Sequence, residues 1–157
     1  MGAVGARRVL FAAPNAPGRE QELVAARDQL DAIEIKHVEP DTVRSFLPVV
    51  RQFRQVSLHV QYLAVEGEPL TLNLADPAVA AHLDDADSAL YQTVRLLRPD
   101  WISFHAGFAC EEIGVEGPDN HNVPRSESLG RGEILSRLTR SLRAVRANLD
   151  RLGLPAP

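Results

Sequence analysis

The sequence predicts an α/β domain whose parallel sheet is built from four β–α units. Four short apolar segments alternate with four segments in which apolar residues recur every three or four positions. The short segments are typical of strands, and the three-to-four spacing is typical of the buried side of a helix. Alternation of this kind produces parallel strands joined by right-handed crossovers. The 157 residues are enough for one hydrophobic core, so residues 1–157 are expected to form a single domain.

The four predicted strands are bounded by residues that favour turns. They span residues 8–13, 32–38, 56–63 and 101–106. Proline, glycine, asparagine and aspartate are frequent in the intervening segments, as expected where a strand meets a loop. A polar loop and a short segment at 70–74 follow the third strand, and residues 107–132 are expected to form a long loop.

The four predicted helices span residues 19–30, 40–53, 77–98 and 132–152. Pro48 lies inside the second helix and is expected either to kink it or to split it in two. Asp76 and Pro77 are a good capping pair for the third helix. The last helix carries an apolar stripe formed by Leu135, Leu138, Leu142, Val145, Leu149 and Leu152. Because this stripe covers fewer than three heptads, we expect it to pack against the sheet rather than form a coiled coil.

Composition excludes several classes of protein. The formal net charge is −4, and no basic block stands out, which disfavours a dedicated nucleic-acid-binding protein. Cys110 is the single cysteine, so no intramolecular disulfide can form, which fits a reducing cytoplasm. No apolar segment approaches the roughly 18 residues of a membrane span. We therefore expect a cytoplasmic protein that does not insert into a membrane.

Two of the predicted strands contain the same pattern, a serine and a histidine separated by one large apolar residue. The pattern occurs at residues 57–59 and 103–105. Side chains alternate across a strand, so His59 and His105 share the face of the two serines, opposite the apolar face that meets the helices. Neighbouring strands lie about 4.8 Å apart, so the two imidazoles can share a divalent metal ion such as Zn, Mn, Fe or Co. The alternative is that each histidine forms structural hydrogen bonds within the core.

The second strand places Glu34 and Lys36 on the same polar face. Glu34 can supply an oxygen ligand beside the two histidines, and Lys36 can contact a substrate. We therefore take both as candidate catalytic residues. The alternative is that they form only an ion pair with each other.

The residues around the two histidines resemble a known superfamily. The chain resembles segments of the xylose isomerase-like TIM-barrel superfamily at residues 57–63, followed by residues 72–74, and again at residues 102–107. In that superfamily a third-strand histidine precedes a Tyr-Leu segment, and a fourth-strand histidine precedes a glycine. This superfamily includes sugar isomerases and epimerases and AP endonucleases of the endonuclease IV type. The resemblance covers about residues 8–153, and its specific motifs are these two stretches.

The resemblance implies a metal-dependent isomerase or epimerase that acts on a sugar or sugar phosphate. His59 and His105 match the positions of metal ligands in the superfamily. Two other activities of the superfamily stay open, namely AP-endonuclease chemistry and iron-dependent modification of peptides. The net negative charge fits a DNA substrate poorly. A non-catalytic scaffold whose histidines are structural is a further alternative.

The length departs from the superfamily pattern, because a complete barrel has eight strands and typically about 250 residues. The sequence therefore predicts the amino-terminal half of a barrel, with four strands and four helices. Residues that later strands supply in the superfamily, including carboxylates and further histidines, are absent from this stretch. An isolated four-stranded sheet has two exposed edges, so we expect this chain to self-associate or to pair with another half-barrel.

Overall fold

A computed structural model of the chain describes residues 12–14, 18–107, 109–116 and 121–154. Most of the first predicted strand, residues 8–11, lies outside the described residues. The strands are β1 (Ala12–Pro14), β2 (Ala32–Ile35), β3 (Gln55–Val60), β4 (Tyr62–Val65), β5 (Glu68–Thr71), β6 (Trp101–Phe104), β7 (Ile113–Glu116) and β8 (His121–Pro124). The helices are α1 (Glu20–Ala26), α2 (Pro40–Val50), α3 (Pro77–Asp84), α4 (Ala89–Leu97) and α5 (Arg131–Arg151), and a short 3-10 helix at Arg27–Gln29 follows α1.

The central sheet confirms the predicted parallel α/β class. Within the described residues it has four parallel strands in the order β1-β2-β3-β6, which is their order along the chain. At least one helix lies in the chain between each pair of neighbouring strands. The sheet is open over the described residues, with β1 and β6 as its edges.

The two faces of the sheet differ as the alternation of side chains predicts. On one face Ile33, Ile35, Leu58 and Val60 are fully buried in the hydrophobic core. Burial of an aliphatic side chain of this size contributes about 1.5–3 kcal/mol, so this face provides much of the packing energy. The opposite face carries most of the candidate site residues, and it is partly open to solvent.

Helix α2 runs through Pro48 and ends two residues later at Val50, so the alternative of two separate helices is wrong. Proline removes only one backbone donor, and Pro48 lies close to the end of the helix, where few hydrogen bonds depend on it. The Gln52 side chain donates a hydrogen bond to the Pro48 carbonyl at 3.1 Å. Buried Val43, Phe46 and Val50 form the core side of this helix.

The predicted third helix is wrong in its extent, because two helices, α3 and α4, occupy residues 77–97. Asp85 adopts an extended backbone conformation. Its carboxylate accepts a hydrogen bond from the Asp87 amide at 2.9 Å, and its carbonyl accepts one from the Ser88 amide at 3.1 Å. Local bonds of this kind compete with helical ones, so the acidic segment interrupts an otherwise continuous apolar pattern.

Two antiparallel hairpins occupy segments that the sequence predicts as loops or as the end of a strand. Strand β3 ends at Val60, and residues 62–71 form the β4–β5 hairpin. Glu66 and Gly67 both have positive φ at its turn, as a two-residue hairpin loop of matching twist requires. The second hairpin, β7–β8, lies within the predicted loop at 107–132.

The predicted packing of α5 is only partly correct. Val145 and Leu149 are buried, but Leu135 and Leu142 are 54% and 50% exposed. The helix packs mainly against α3 rather than the sheet. Two buried polar side chains of α5 hydrogen-bond to backbone carbonyls in or just before α3. Ser141 donates to the Leu74 carbonyl at 2.8 Å, and Asn148 donates to the Leu83 carbonyl at 3.0 Å. None of the described helices combines the length and apolar character needed to cross a bilayer.

Candidate metal centre

The parallel register of β3 and β6 brings the two candidate histidines together. His59 lies directly opposite Ser103, and Val60 lies opposite Phe104. The His105 amide donates to the Val60 carbonyl at 3.1 Å, which extends the pairing beyond the end of β6. Both imidazoles therefore project from the carboxyl ends of adjacent strands, on the polar face of the sheet.

The two imidazoles converge through the same ring nitrogen. His59 Nε2 and His105 Nε2 are 3.1 Å apart, and the rings meet edge to face with centroids 4.8 Å apart. Zinc–nitrogen bonds of about 2.0–2.1 Å in tetrahedral geometry place two ligand nitrogens about 3.3 Å apart. The observed separation is close to that value, so the pair fits the shared coordination of one ion. It also fits an N–H···N hydrogen bond between the two rings when one Nε2 carries a proton.

Ser103 orients one of the two rings. Its hydroxyl lies 2.7 Å from His59 Nδ1. When Nδ1–H donates to this oxygen, the lone pair on Nε2 is left free to bind a metal ion, and such partners fix both the tautomer and the direction of a ligand. Sequence reasoning placed Ser103 on the correct face but missed this role. No signal in the sequence indicated it, because equal patterns in aligned strands would pair the two histidines, whereas the observed register is shifted by two residues and pairs His59 with Ser103.

The electrostatic environment of His59 favours the neutral form. Burial lowers the pKa of the His59 imidazole, and the nearby His105 and Lys36 lower it further, while the Glu34 carboxylate acts in the opposite direction. A metal ion binds only the unprotonated imidazole. This environment therefore favours the state of His59 that can act as a ligand.

Glu34 and Lys36 form an ion pair with each other, with Lys36 Nζ 3.5 Å from Glu34 Oε1. Glu34 lies opposite Ser57 in the register of β2 and β3, so it is on the same face as His59 but two residues earlier along the sheet. No group of three or more His, Cys, Asp or Glu side chains suited to a metal ion occurs among the described residues. The structure therefore brings the two histidines together but does not add Glu34 to them as a third ligand.

The chain after His105 is held by a close backbone contact. Gly107 has φ +87°, and a Cβ atom at this position would lie 2.4 Å from Asn73 Oδ1. Buried Asn73 donates to the Cys110 carbonyl at 2.8 Å, and the Leu74 amide donates to the Ala106 carbonyl at 3.2 Å. Only glycine tolerates both this conformation and this contact. The glycine that follows the histidine pattern therefore fixes the path of the chain at the site.

A pocket of about 470 Å³ lies beside His105. Thr71 at the end of β5 and Asn122 in β8 contribute to its walls, together with Leu72 and Phe104. Each hairpin follows one of the two histidine-bearing strands in the chain. The two hairpins that the sequence did not predict therefore supply part of the wall of a pocket that includes the candidate ligand His105.

Comparisons with models of protein families, with curated proteins and with solved structures find no significant match. The chemistry of this chain therefore has to be inferred from the His59–His105 pair, the residues that orient it and the adjacent pocket.

Proposed function

We propose that this chain carries part of the active site of a metal-dependent isomerase or epimerase for a sugar or sugar phosphate. His59 and His105 would hold a divalent ion, which can be Zn, Mn, Fe or Co. The observation that carries the proposal is the convergence of the two Nε2 atoms at 3.1 Å at the carboxyl ends of parallel strands. In α/β proteins, ligands and catalytic residues gather at that edge of the sheet.

The arrangement of the sheet supports a unit of the TIM-barrel type. In a doubly wound sheet the strand order reverses and helices cover both faces. Here the order follows the chain, one face is packed in the core, and the other carries polar side chains. A barrel has this arrangement, with helices outside and polar residues near the strand ends facing the mouth. The resemblance of the two histidine segments to the xylose isomerase-like superfamily points the same way.

Glu34 and Lys36 have roles that fit isomerisation or epimerisation. Glu34 would act as the general base that removes a proton from the carbon next to a carbonyl group and returns it to the product. Lys36 would orient Glu34 through their 3.5 Å contact and donate a hydrogen bond to a substrate oxygen. A bound divalent ion would supply polarisation of the substrate oxygen atoms. Water, substrate or further protein groups would fill the coordination positions that two histidines leave open.

Metal content tests this proposal directly. The purified protein, His59→Ala and His105→Ala are each dialysed against Zn²⁺, Mn²⁺ or Co²⁺, and bound metal is measured by mass spectrometry. The wild type is expected to retain about one ion per site and each variant to lose most of it, because removal of one ligand from so small a set leaves a weak site. His82→Ala, on helix α3, is the matched control and should retain the metal. Equal and negligible metal in all four proteins would contradict the proposal.

One observation favours a second candidate function, a non-catalytic scaffold. The His59–His105 contact is within hydrogen-bonding distance and Glu34 contacts Lys36, so these four side chains can satisfy one another without a ligand. A scaffold predicts no bound metal and no isomerase activity. Glu34→Gln distinguishes the two functions, because an enzyme is expected to lose activity on an aldose panel while it retains metal.

A further inference from the structure

Helix α1 lacks a covered side. Among the described α-helices it is the one in which no residue is buried, whereas each of α2 to α5 buries at least two. A groove of about 380 Å³ runs between α1 and β1, and we call it the α1 groove. A short helix is stabilised mainly by burying an apolar side. The α1 groove therefore presents a surface that another element can cover. Its apolar lining consists of Ala13, Pro14, Leu23, Ala26 and Leu30.

Helix α5 has an exposed apolar surface, formed by Leu135 and Leu142. These are the large apolar side chains that are exposed among the described residues, and they lie two turns apart on one side of the helix. Ser141 bonds to the carbonyl just before α3, and buried Val145 lies between Ser141 and Leu142 around the helix axis. The two leucines therefore continue the core side of α5 in the direction away from α3. We call this surface the leucine face.

The charges around the two surfaces have opposite signs. Helix α5 has six arginines and two acidic residues, a net charge of +4, although the whole chain has a net charge of −4. Residues 19–31, which include α1, have four acidic residues and two arginines, a net charge of −2. Arg140 and Arg143 line a cleft together with Leu135, and neither forms an ion pair with any side chain that the structure describes. Opposite potentials of this kind favour contact between two surfaces.

The two surfaces lie at opposite ends of the sheet, so one copy of the chain cannot join them. Helix α1 follows the edge strand β1, and α5 follows the edge strand β6. When β6 of one copy lies beside β1 of a second copy, α5 of the first lies beside α1 of the second. A two-fold axis repeats the same contact at the other pair of edges.

We infer that the leucine face of one copy packs into the α1 groove of a second copy, and that two such contacts close the two four-stranded sheets into one ring. A ring of eight parallel strands with helices outside is a closed barrel. Closure removes both exposed sheet edges at once. The inference goes beyond the proposed function, because the contact involves the outer helices and does not depend on a metal ion at His59 and His105.

Charge reversal on each surface, separately and in a mixture, tests the inference on the full chain. One variant combines Arg140→Glu with Arg143→Glu, and the other combines Glu22→Arg, in the α1 groove, with Asp28→Arg, which is 90% exposed. Each variant alone places like charges at both contacts. We expect dimer affinity, measured by light scattering over a concentration series, to fall about tenfold or more.

An equal mixture of the two variants restores opposite charges at both contacts. Its affinity is expected to return to within about twofold of the wild type. Leu142→Glu removes part of the leucine face and should weaken association without such rescue. The control combines Arg44→Glu with Arg51→Glu, which change the net charge equally at exposed positions in and just after α2 and should leave affinity unchanged.

Four results would overturn the inference. The first is a wild-type protein that is monomeric at every concentration, and the second is a mass that grows beyond that of a dimer, since an open chain leaves the ring unclosed. The third is an α1 variant that associates as tightly as the wild type, which would indicate contact between two α5 helices. The fourth is a mixture that associates no more tightly than the separate variants. Circular dichroism confirms that each variant is folded.

Discussion

At the scale of single residues, the site depends on side chains that orient the ligands as well as on the ligands themselves. Ser103→Ala removes the hydroxyl that lies 2.7 Å from His59 Nδ1 and leaves both histidines in place. Without this partner the imidazole can rotate and exchange tautomers, so we expect metal affinity to fall about 10–100-fold. Competition with a chromophoric chelator measures the change. Ser136→Ala, on an exposed turn of α5, is the control, and equal affinity in the two variants would show that Ser103 has no orienting role.

The lowered pKa of His59 predicts how stability depends on pH in the metal-free protein. A histidine whose native pKa lies below its unfolded value, near 6.5, binds fewer protons in the native state between those two values. Its contribution to the free energy of unfolding is therefore complete above pH about 6.5 and declines as the pH falls through the lowered native value. Urea unfolding between neutral and mildly acidic pH measures this slope. His59→Gln should flatten it, and an unchanged slope in that variant would assign the dependence to other groups.

At the scale of secondary structure elements, the exit from β6 is the segment most sensitive to substitution near the site. Gly107→Ala adds a Cβ atom 2.4 Å from Asn73 Oδ1 at a positive φ. We expect it to destabilise the fold by about 1–3 kcal/mol and to weaken metal binding, because His105 lies two residues away. Gly132→Ala is the control, since nothing lies within 4 Å of the added atom and the position is inside α5. There alanine should stabilise by roughly 0.5–1 kcal/mol. Equal stability of the two variants in urea would contradict this explanation.

The same elements show which features of the fold could be predicted from sequence. The alternation of side chains within β2 and β3 correctly predicted which face of the sheet is in the core. The helices bury every second side chain and leave the side chains between them partly open to solvent. Periodicity could not tell which part of the stripe on α5 would be covered. Leu135 and Leu149 occupy equivalent positions in the pattern, yet one is exposed and the other is buried against its neighbours. Coverage depends on how far α3 extends beside α5: Arg137 already bonds to the Ala75 carbonyl ahead of α3, and Asn148 bonds to the Leu83 carbonyl near its end.

The candidate site was predictable to a similar degree. Alternation indicated that His59 and His105 would share one face of the sheet, but it did not indicate the two-residue shift in register that places His59 opposite Ser103. The contribution of Thr71 and Asn122 could not be predicted, since it depends on two hairpins that place residues distant in sequence beside His105. Glu34 was correctly placed on the polar face. Alternation places a side chain on one face of the sheet but does not determine which neighbour it contacts. It therefore could not decide between the Glu34–Lys36 ion pair and a contact of Glu34 with the histidines.

At the scale of the whole molecule, the polar face of the sheet and its two edges predict association. Strands β1 and β6 each have a neighbour on one side only among the described residues, and such edges offer unpaired backbone groups to another chain. We propose that the chain pairs with a second copy or with another half-barrel, which would also cover the face that bears His59. Such an assembly can bring further ligands to a site that has two histidines of its own.

Trp101 provides a direct measurement of this association. It is the single tryptophan of the chain, it is half-buried in β6, and it lies opposite Ser57 in the register with β3. Pairing that covers the polar face would remove the exposed part of the indole from water. We therefore expect its emission to shift to shorter wavelength as protein concentration rises, in step with the mass measured by light scattering. Trp101→Lys places a charge at this position and is expected to lower the mass toward that of a monomer. A well-folded monomer with constant Trp101 emission over the whole concentration range would refute self-association. Titration with a candidate partner would then test pairing with another half-barrel, with the same shift in emission as the measurement.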